Sequence, residues 1–117
     1  MADEVCEVVL TADSEEWLVE FARSLVSDRL VACGQHLTPI RSVYRWQDEI
    51  RQDTETRVAL HTTQDLVPAV LERVASEHPY EVPCVLVIPI MGGNPAYLDW
   101  VRAETRDPMS TETGELS

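Results

Sequence analysis

Ile40-Arg41-Ser42-Val43-Tyr44-Arg45-Trp46-Gln47-Asp48-Glu49-Ile50-Arg51-Gln52-Asp53-Thr54-Glu55-Thr56-Arg57-Val58-Ala59-Leu60 decides the fold. Its second half alternates strictly. Ile50, Gln52, Thr54, Thr56, Val58 and Leu60 fall on one face, and Arg51, Asp53, Glu55, Arg57, Ala59 and His61 on the other, the period-two signature of a strand. Gln47-Asp48-Glu49 reads as a hairpin tip, with Asp48 a residue that tolerates left-handed backbone. The outgoing strand runs from Leu30-Val31-Ala32-Cys33, past Gly34 and a bend at Pro39, to Trp46. The return strand covers 50 to 62.

Outward from this hairpin, Val5 to Leu10 is a β-branched run and reads as a first strand. A helix follows over about 14 to 29. Asp13 with Glu16, or Ser14, caps it, and Trp17, Leu18, Phe21, Ala22, Leu25 and Val26 recur at helical spacing. Asp65 caps a second helix whose first turn accepts Pro68, with Leu66, Val67, Val70, Leu71, Val74 and Ala75 as its apolar stripe. Cys84 to Ile90 is almost wholly apolar and reads as a central strand covered on both sides. Asn94-Pro95 pairs an N-cap with proline at the first helical position and opens a third helix to about 105. The order is βαββαβ plus a helix. It predicts an α+β, ferredoxin-like sandwich over 1–106, with 107–117 a disordered tail.

The hairpin is too long for one chain. Arms of about 16 and 13 residues at about 3.3 Å per residue reach beyond about 40 Å, whereas ordinary strands hold about 5–6 residues. An isolated hairpin is marginal in water, and an open edge aggregates. The reading is therefore a tight homo-oligomer with Tyr44, Trp46 and Ile50 in its interface, where aromatic residues are enriched.

Composition excludes several functions. The chain has 117 residues, 44% of them apolar, and a net charge of −12; every basic residue is arginine. Without lysine there is no Schiff base and no phosphate-loop lysine. An acidic surface repels phosphate backbones, so no nucleic-acid partner is expected. Cys6, Cys33 and Cys84 are odd in number and widely spaced, which fits a reducing cytoplasm rather than a disulfide framework. No run has the length of a membrane span, and the N-terminus lacks the pattern of a signal peptide.

The stiff connection His78-Pro79-Tyr80-Glu81-Val82-Pro83 lies between the second helix and the last strand. His78 beside Tyr80 and Glu81 is the main candidate for a divalent ion; its other reading is a cap on the helix end. Cys33 and Cys84 are soft donors for reduced copper, or else small buried hydrophobes. His36 and His61, on neighbouring arms of the hairpin, are a second histidine pair to test. Tyr44 and Trp46 suit a planar or cationic ligand as well as an interface. Arg41 is placed to pair with Asp53 or Glu55. Gly92-Gly93-Asn94-Pro95 offers a helix N-terminus to an anion, although capping alone explains it. No nucleophile–base set or phosphate loop stands out, and no catalysis is expected.

Together, Val9-Leu10-Thr11-Ala12, Leu30-Val31-Ala32-Cys33, Ser42-Val43-Tyr44-Arg45-Trp46, His78-Pro79-Tyr80-Glu81-Val82-Pro83 and Gly93-Asn94-Pro95-Ala96-Tyr97-Leu98-Asp99-Trp100 resemble the CutA family of divalent-cation tolerance proteins over about residues 5 to 103. The resemblance implies a ferredoxin-like homotrimer in the bacterial cytoplasm, linked to tolerance of copper and other divalent cations. The trimer is similar to that of PII signalling proteins, which bind small ligands between subunits. By that analogy a ligand cleft would include Cys33, Tyr80 and Glu81. Copper-binding members offer a cysteine at the end of the first strand and a His-His pair before Pro-Tyr. Leu10 and Glu77-His78 stand here instead, so His78 alone carries over. Cys84 takes the place of an acidic residue.

Overall fold

A computed structural model describes residues 4–107. The elements are β1 (Val5–Ala12), α1 (Glu15–Ser27), β2 (Cys33–Trp46), β3 (Glu49–Thr63), α2 (Val67–Glu77), β4 (Val85–Pro89) and α3 (Pro95–Glu104). One antiparallel sheet runs in the order β2-β3-β1-β4, the ferredoxin-like arrangement. The expected tail beyond Asp107 lies outside the described residues.

Each terminus has a local cause. Ser14, not Asp13, caps α1: its Oγ accepts from the Trp17 N–H at 3.1 Å, and Glu15 and Glu16 in the first turn face the positive end of the helix dipole. α1 stops at Ser27, short of the expected 29. The Asp28 N–H closes on Ser24 O, and Arg29 turns left-handed with φ 61°. The Arg29 guanidinium then caps α3, donating to the carbonyls of Ala103 and Glu104. Asp65 sits inside a short 3₁₀ turn, Gln64–Leu66, rather than at a side-chain cap, while Pro68 does occupy the first turn of α2. Asn94 Oδ1 accepts from the Ala96 N–H at 3.1 Å, so the capping reading explains the start of α3.

The hairpin closes on two residues. Gln47 (φ 50°) and Asp48 (φ 66°) are both left-handed, the backbone that a tight turn with the native strand twist demands. Trp46 faces Glu49 beside the turn, and the register slips once, between Leu37 and Ile40 around Pro39. Arg41 faces Thr54, on the opposite face from Asp53 and Glu55, so the expected cross-strand ion pairs do not form. The arms make the molecule elongated, 47 × 30 × 22 Å.

α1 and α2 cover one face of the sheet. The core there joins Val8, Leu10 and Ala12 of β1 and Val58 and Leu60 of β3 to Leu18, Phe21 and Leu25 of α1 and Val70 and Val74 of α2. Gly34 leaves room where α1 crosses β2: a Cβ there would stand 3.2 Å from the side chains of both Leu60 and Val58, which would have to shift by a few tenths of an ångström. α3 packs on the other face, where Val101 meets Val5 and Ala32. Arg73 ties the two helices of the first face together through Asp28, Ser24 and Glu77.

One element departs from expectation. β4 is an edge strand that pairs only with β1. Leu86, Val87 and Ile88 are 58%, 40% and 42% exposed. Its apolar run does not signal two covered faces within one chain.

Leu60 has no exposed surface, so truncation leaves a void as well as losing transfer energy. Leu60→Ala is expected to cost about 2–5 kcal/mol. A denaturant titration shows this as a lower midpoint with an unchanged slope.

Candidate functional site

Strand alternation places Ser42, Tyr44 and Trp46 on the same face as Arg51, Asp53 and Glu55. The stiff connection folds back over this face. The Tyr80 hydroxyl donates to Glu55 Oε2 at 2.8 Å and the Ser42 hydroxyl to Glu55 Oε1 at 2.6 Å, so one carboxylate fastens the connection to the hairpin. Tyr44 donates to Asp53. A cleft of about 610 Å³ opens between the arm and the connection. Trp46, Arg51 and Glu55 line it from the hairpin, and Tyr80, Glu81 and Cys84 from the connection. Aromatic walls, two carboxylates and a guanidinium can bind a ligand; they offer no nucleophile with its base.

His78 is a strut. It ends α2, its backbone N–H bonding to Val74 O. Its Nδ1 accepts the Tyr80 N–H at 3.0 Å, which leaves the proton on Nε2 to donate to Thr11 O at 2.8 Å. The ring is 8% exposed and lies edge-on to Trp17 and Tyr80. Both nitrogens therefore hold backbone groups. His78 does stand at the C-cap of α2, but its imidazole bonds Thr11 O of β1 rather than the free helix carbonyls that the sequence reading gave it.

Cys33 is elsewhere. It faces His61 across the β2–β3 ladder, and His61 faces Glu7 across β3–β1. The three side chains form one row over three strands. His61 Nε2 lies 2.9 Å from Glu7 Oε2, and Nδ1 lies 2.6 Å from the Tyr97 hydroxyl of α3 and 3.6 Å from Cys33 Sγ. Cys33 Sγ is also 3.3 Å from the Tyr97 hydroxyl. The cleft expected from Cys33, Tyr80 and Glu81 is thus divided. Tyr80 and Glu81 share it, and Cys33 belongs to this second cluster, at the other end of the long arm. The proposed His36–His61 pair does not form either: His36 faces Val58 on the helix side, His61 the opposite side.

Sequence reasoning missed Glu7, Glu55 and Tyr97. A carboxylate inside the run Val5-Cys6-Glu7-Val8-Val9 was the available signal for the first. Cys6 is fully buried, and burial, aided by the charge of Asp65, pushes its thiol up to about 11, so it is an inert core residue. Among the described residues, no three His, Cys, Asp or Glu side chains converge as a metal cage.

The geometry now meets known proteins. The chain matches the model of the CutA1 divalent ion tolerance protein family over residues 6–104, and it belongs to that family. It is 42% identical over 98 residues to the divalent-cation tolerance protein CutA of Thermus thermophilus, covering 84% of this chain and 95% of that one. It is 38% identical to protein CutA of Mus musculus, of whose length it spans 62%. The crystal structure of CutA1 from Oryza sativa superposes with a TM-score of 0.86 at 33% identity, covering 92% of this chain and 99% of that one. Among the described residues, no helix is long and apolar enough to cross a membrane.

All three phenols are held in their protonated form. Burial and the hydrogen bond to Glu55 push Tyr80 up, and the bond to Asp53 raises Tyr44. Burial and the Cys33 contact push Tyr97 up to about 12. An absorbance titration of the folded protein is expected to show tyrosinate forming well above 10, against about 10 after unfolding. A raised phenol binds its proton more tightly in the folded chain. The stability from Tyr97 is therefore full below about 10 and lost as pH rises through about 12.

Proposed function

We propose that this chain acts as a non-catalytic, cytoplasmic divalent-cation tolerance protein, working as a homotrimer. One observation carries the assembly: apolar surface is concentrated on two strand segments that each pair along one edge only and that no helix of the chain covers. Val43, Trp46 and Ile50 on the arm are 64%, 37% and 71% exposed, and the β4 edge adds Leu86, Val87 and Ile88. Unpaired backbone along an apolar edge is what a second copy of the same sheet covers, and such an edge left open would aggregate. The family and its relatives' names support the tolerance role.

The cation part of the proposal is weak, reversible binding of copper or another divalent ion. A net charge of −12 concentrates cations at the surface. The bonds of His78 to Thr11 and Tyr80 favour a structural role for that residue and a cation site elsewhere. Calorimetric titration of copper and zinc into the metal-free protein is expected to give saturable heat, in wild type and in His78→Ala alike. No saturable heat in wild type removes the cation reading. His78→Ala itself strands the Thr11 carbonyl and the Tyr80 N–H, and is expected to lower stability by about 1–3 kcal/mol in thermal unfolding.

Light scattering is expected to give three times the 13.2 kDa chain mass. Ile50→Asp removes about 1.5–3 kcal/mol of burial per interface and adds a buried charge, so dissociation is expected to rise more than tenfold. A wild-type species of single-chain mass in dilute solution sinks the assembly.

A second reading, a PII-like signalling module, is favoured by the cleft beside Tyr80 and Glu81. Its volume of about 610 Å³ suits a small ligand. Specific thermal stabilisation by one nucleotide or small acid, absent in Tyr80→Ala, supports it over simple cation binding.

A further inference from the structure

The row Cys33–His61–Glu7, closed by Tyr97 from α3, lies apart from the cleft and takes no part in either reading above. We propose that Cys33 is a thiol reactive toward small hydroperoxides, its proton leaving through Tyr97 to His61 and its product a sulfenic acid. The proposal goes beyond the cation reading and does not rest on it.

Every hydrogen bond in the row points one way. Glu7 Oε2 accepts from His61 Nε2 at 2.9 Å, so the imidazole proton sits there and Nδ1 carries the lone pair. The Tyr97 hydroxyl donates to that lone pair at 2.6 Å, well ahead of the thiol at 3.6 Å. The phenol oxygen keeps lone pairs of its own, and the Cys33 thiol, 3.3 Å away, donates to it. The chain thus runs from thiol to phenol to imidazole and ends on a carboxylate. Two β-ladders hold it, since Cys33 and Glu7 are each the registered neighbour of His61. A thiol is a weak donor that packs as a small hydrophobe. Its burial alone does not call for a phenol, an imidazole and a carboxylate in line behind it.

The reaction balances within the row. The sulfur attacks the outer oxygen of the hydroperoxide, the S–O bond forming as the O–O bond breaks. The thiol proton moves to the Tyr97 oxygen as the phenol proton moves to His61 Nδ1, and Glu7 faces the imidazolium. That proton returns along the row to the leaving hydroxide or alkoxide. The sulfur is oxidised by two electrons, the peroxide is reduced to water or an alcohol, and His61 and Tyr97 end as they began. Burial and the Cys33 contact push the Tyr97 hydroxyl up to about 12, so the phenol gives a proton only as it receives one. The step consumes one peroxide per chain and is not turnover.

The surroundings select the oxidant. Cys33 is half-buried, which admits a small hydroperoxide and hinders a bulky disulfide. Cys6, next to Glu7 in β1, points to the opposite face of the sheet and is fully buried, and Cys84 lines the cleft at the other end of the arm. Neither thiol of the same chain is placed to convert the sulfenic acid to a disulfide.

The test uses the reduced full chain, hydrogen peroxide as the probe and dimedone as the trap for sulfenic acid, read at each cysteine by peptide mass spectrometry. Cys84 is the internal control because it is exposed. Exposure alone makes Cys84 react first, whereas the relay makes Cys33 react first. Expected in wild type is a dimedone adduct on Cys33 before Cys84. His61→Gln and Tyr97→Phe are each expected to slow Cys33 about 100-fold, the low end of general-base assistance, and to leave Cys84 unchanged. Glu7→Gln is expected to slow it to a lesser extent. A solvent deuterium effect on the Cys33 rate that disappears in His61→Gln separates proton transfer from mere placement of the sulfur. An adduct on Cys84 first in wild type overturns the proposal, and that comparison needs no variant. A Cys33 rate indifferent to both His61→Gln and Tyr97→Phe overturns it as well.

Discussion

The register of β1 against β3 governs the molecule. Val8 opposite Leu60 and Leu10 opposite Val58 commit one face of the two central strands to the helices. Because side chains alternate, the same choice commits Glu7 and His61 to the other face as direct neighbours. A slip of β1 by one residue would turn Glu7 toward the helices and carry Val8 and Leu10 to the opposite face. The cost of that inversion pins the register, and the polar row is a consequence of the apolar one.

The long hairpin extends this constraint rather than adding a new one. Beyond Ala12 no β1 residue remains to pair with β3, so the arm continues as two strands alone. Polar contacts hold its inner part: Glu55 accepts from both Ser42 and Tyr80. They give it direction but do not cover Val43 or Ile50. The ribbon and the β4 edge thus leave apolar surface open within one chain.

Element types and order were legible in the sequence because periodicity is a local signal. The alternation from Ile50 to Leu60, the Trp17 to Leu25 stripe and the Asn94-Pro95 start each needed only neighbouring residues. Position within the sheet was not local. The run from Cys84 to Ile90 has the composition of a central strand, yet topology sets it at the edge; apolar content does not encode which neighbours a strand has in the sheet. The site was legible in part for the same reason. Tyr80 and Glu81 are close in sequence and were found together. Cys33, His61, Glu7 and Tyr97 come from four elements, and only the registers bring them into one row. Numerical proximity suggested His36 with His61, but parity puts them on opposite faces.

His78 and His61 show how one residue type diverges under backbone control. At the end of α2, His78 has a bare N–H two residues ahead and a carbonyl of β1 behind, and its ring satisfies both. Removing either bond would leave a buried polar group unpaired, so the ring is bound into the fold. His61 spends one nitrogen on a carboxylate and turns the other toward a thiol and a phenol. The histidine in the recognisable motif therefore serves the architecture. The one in the unmarked strand joins a side-chain cluster drawn from four elements, and strand register, not local sequence, decides which is which.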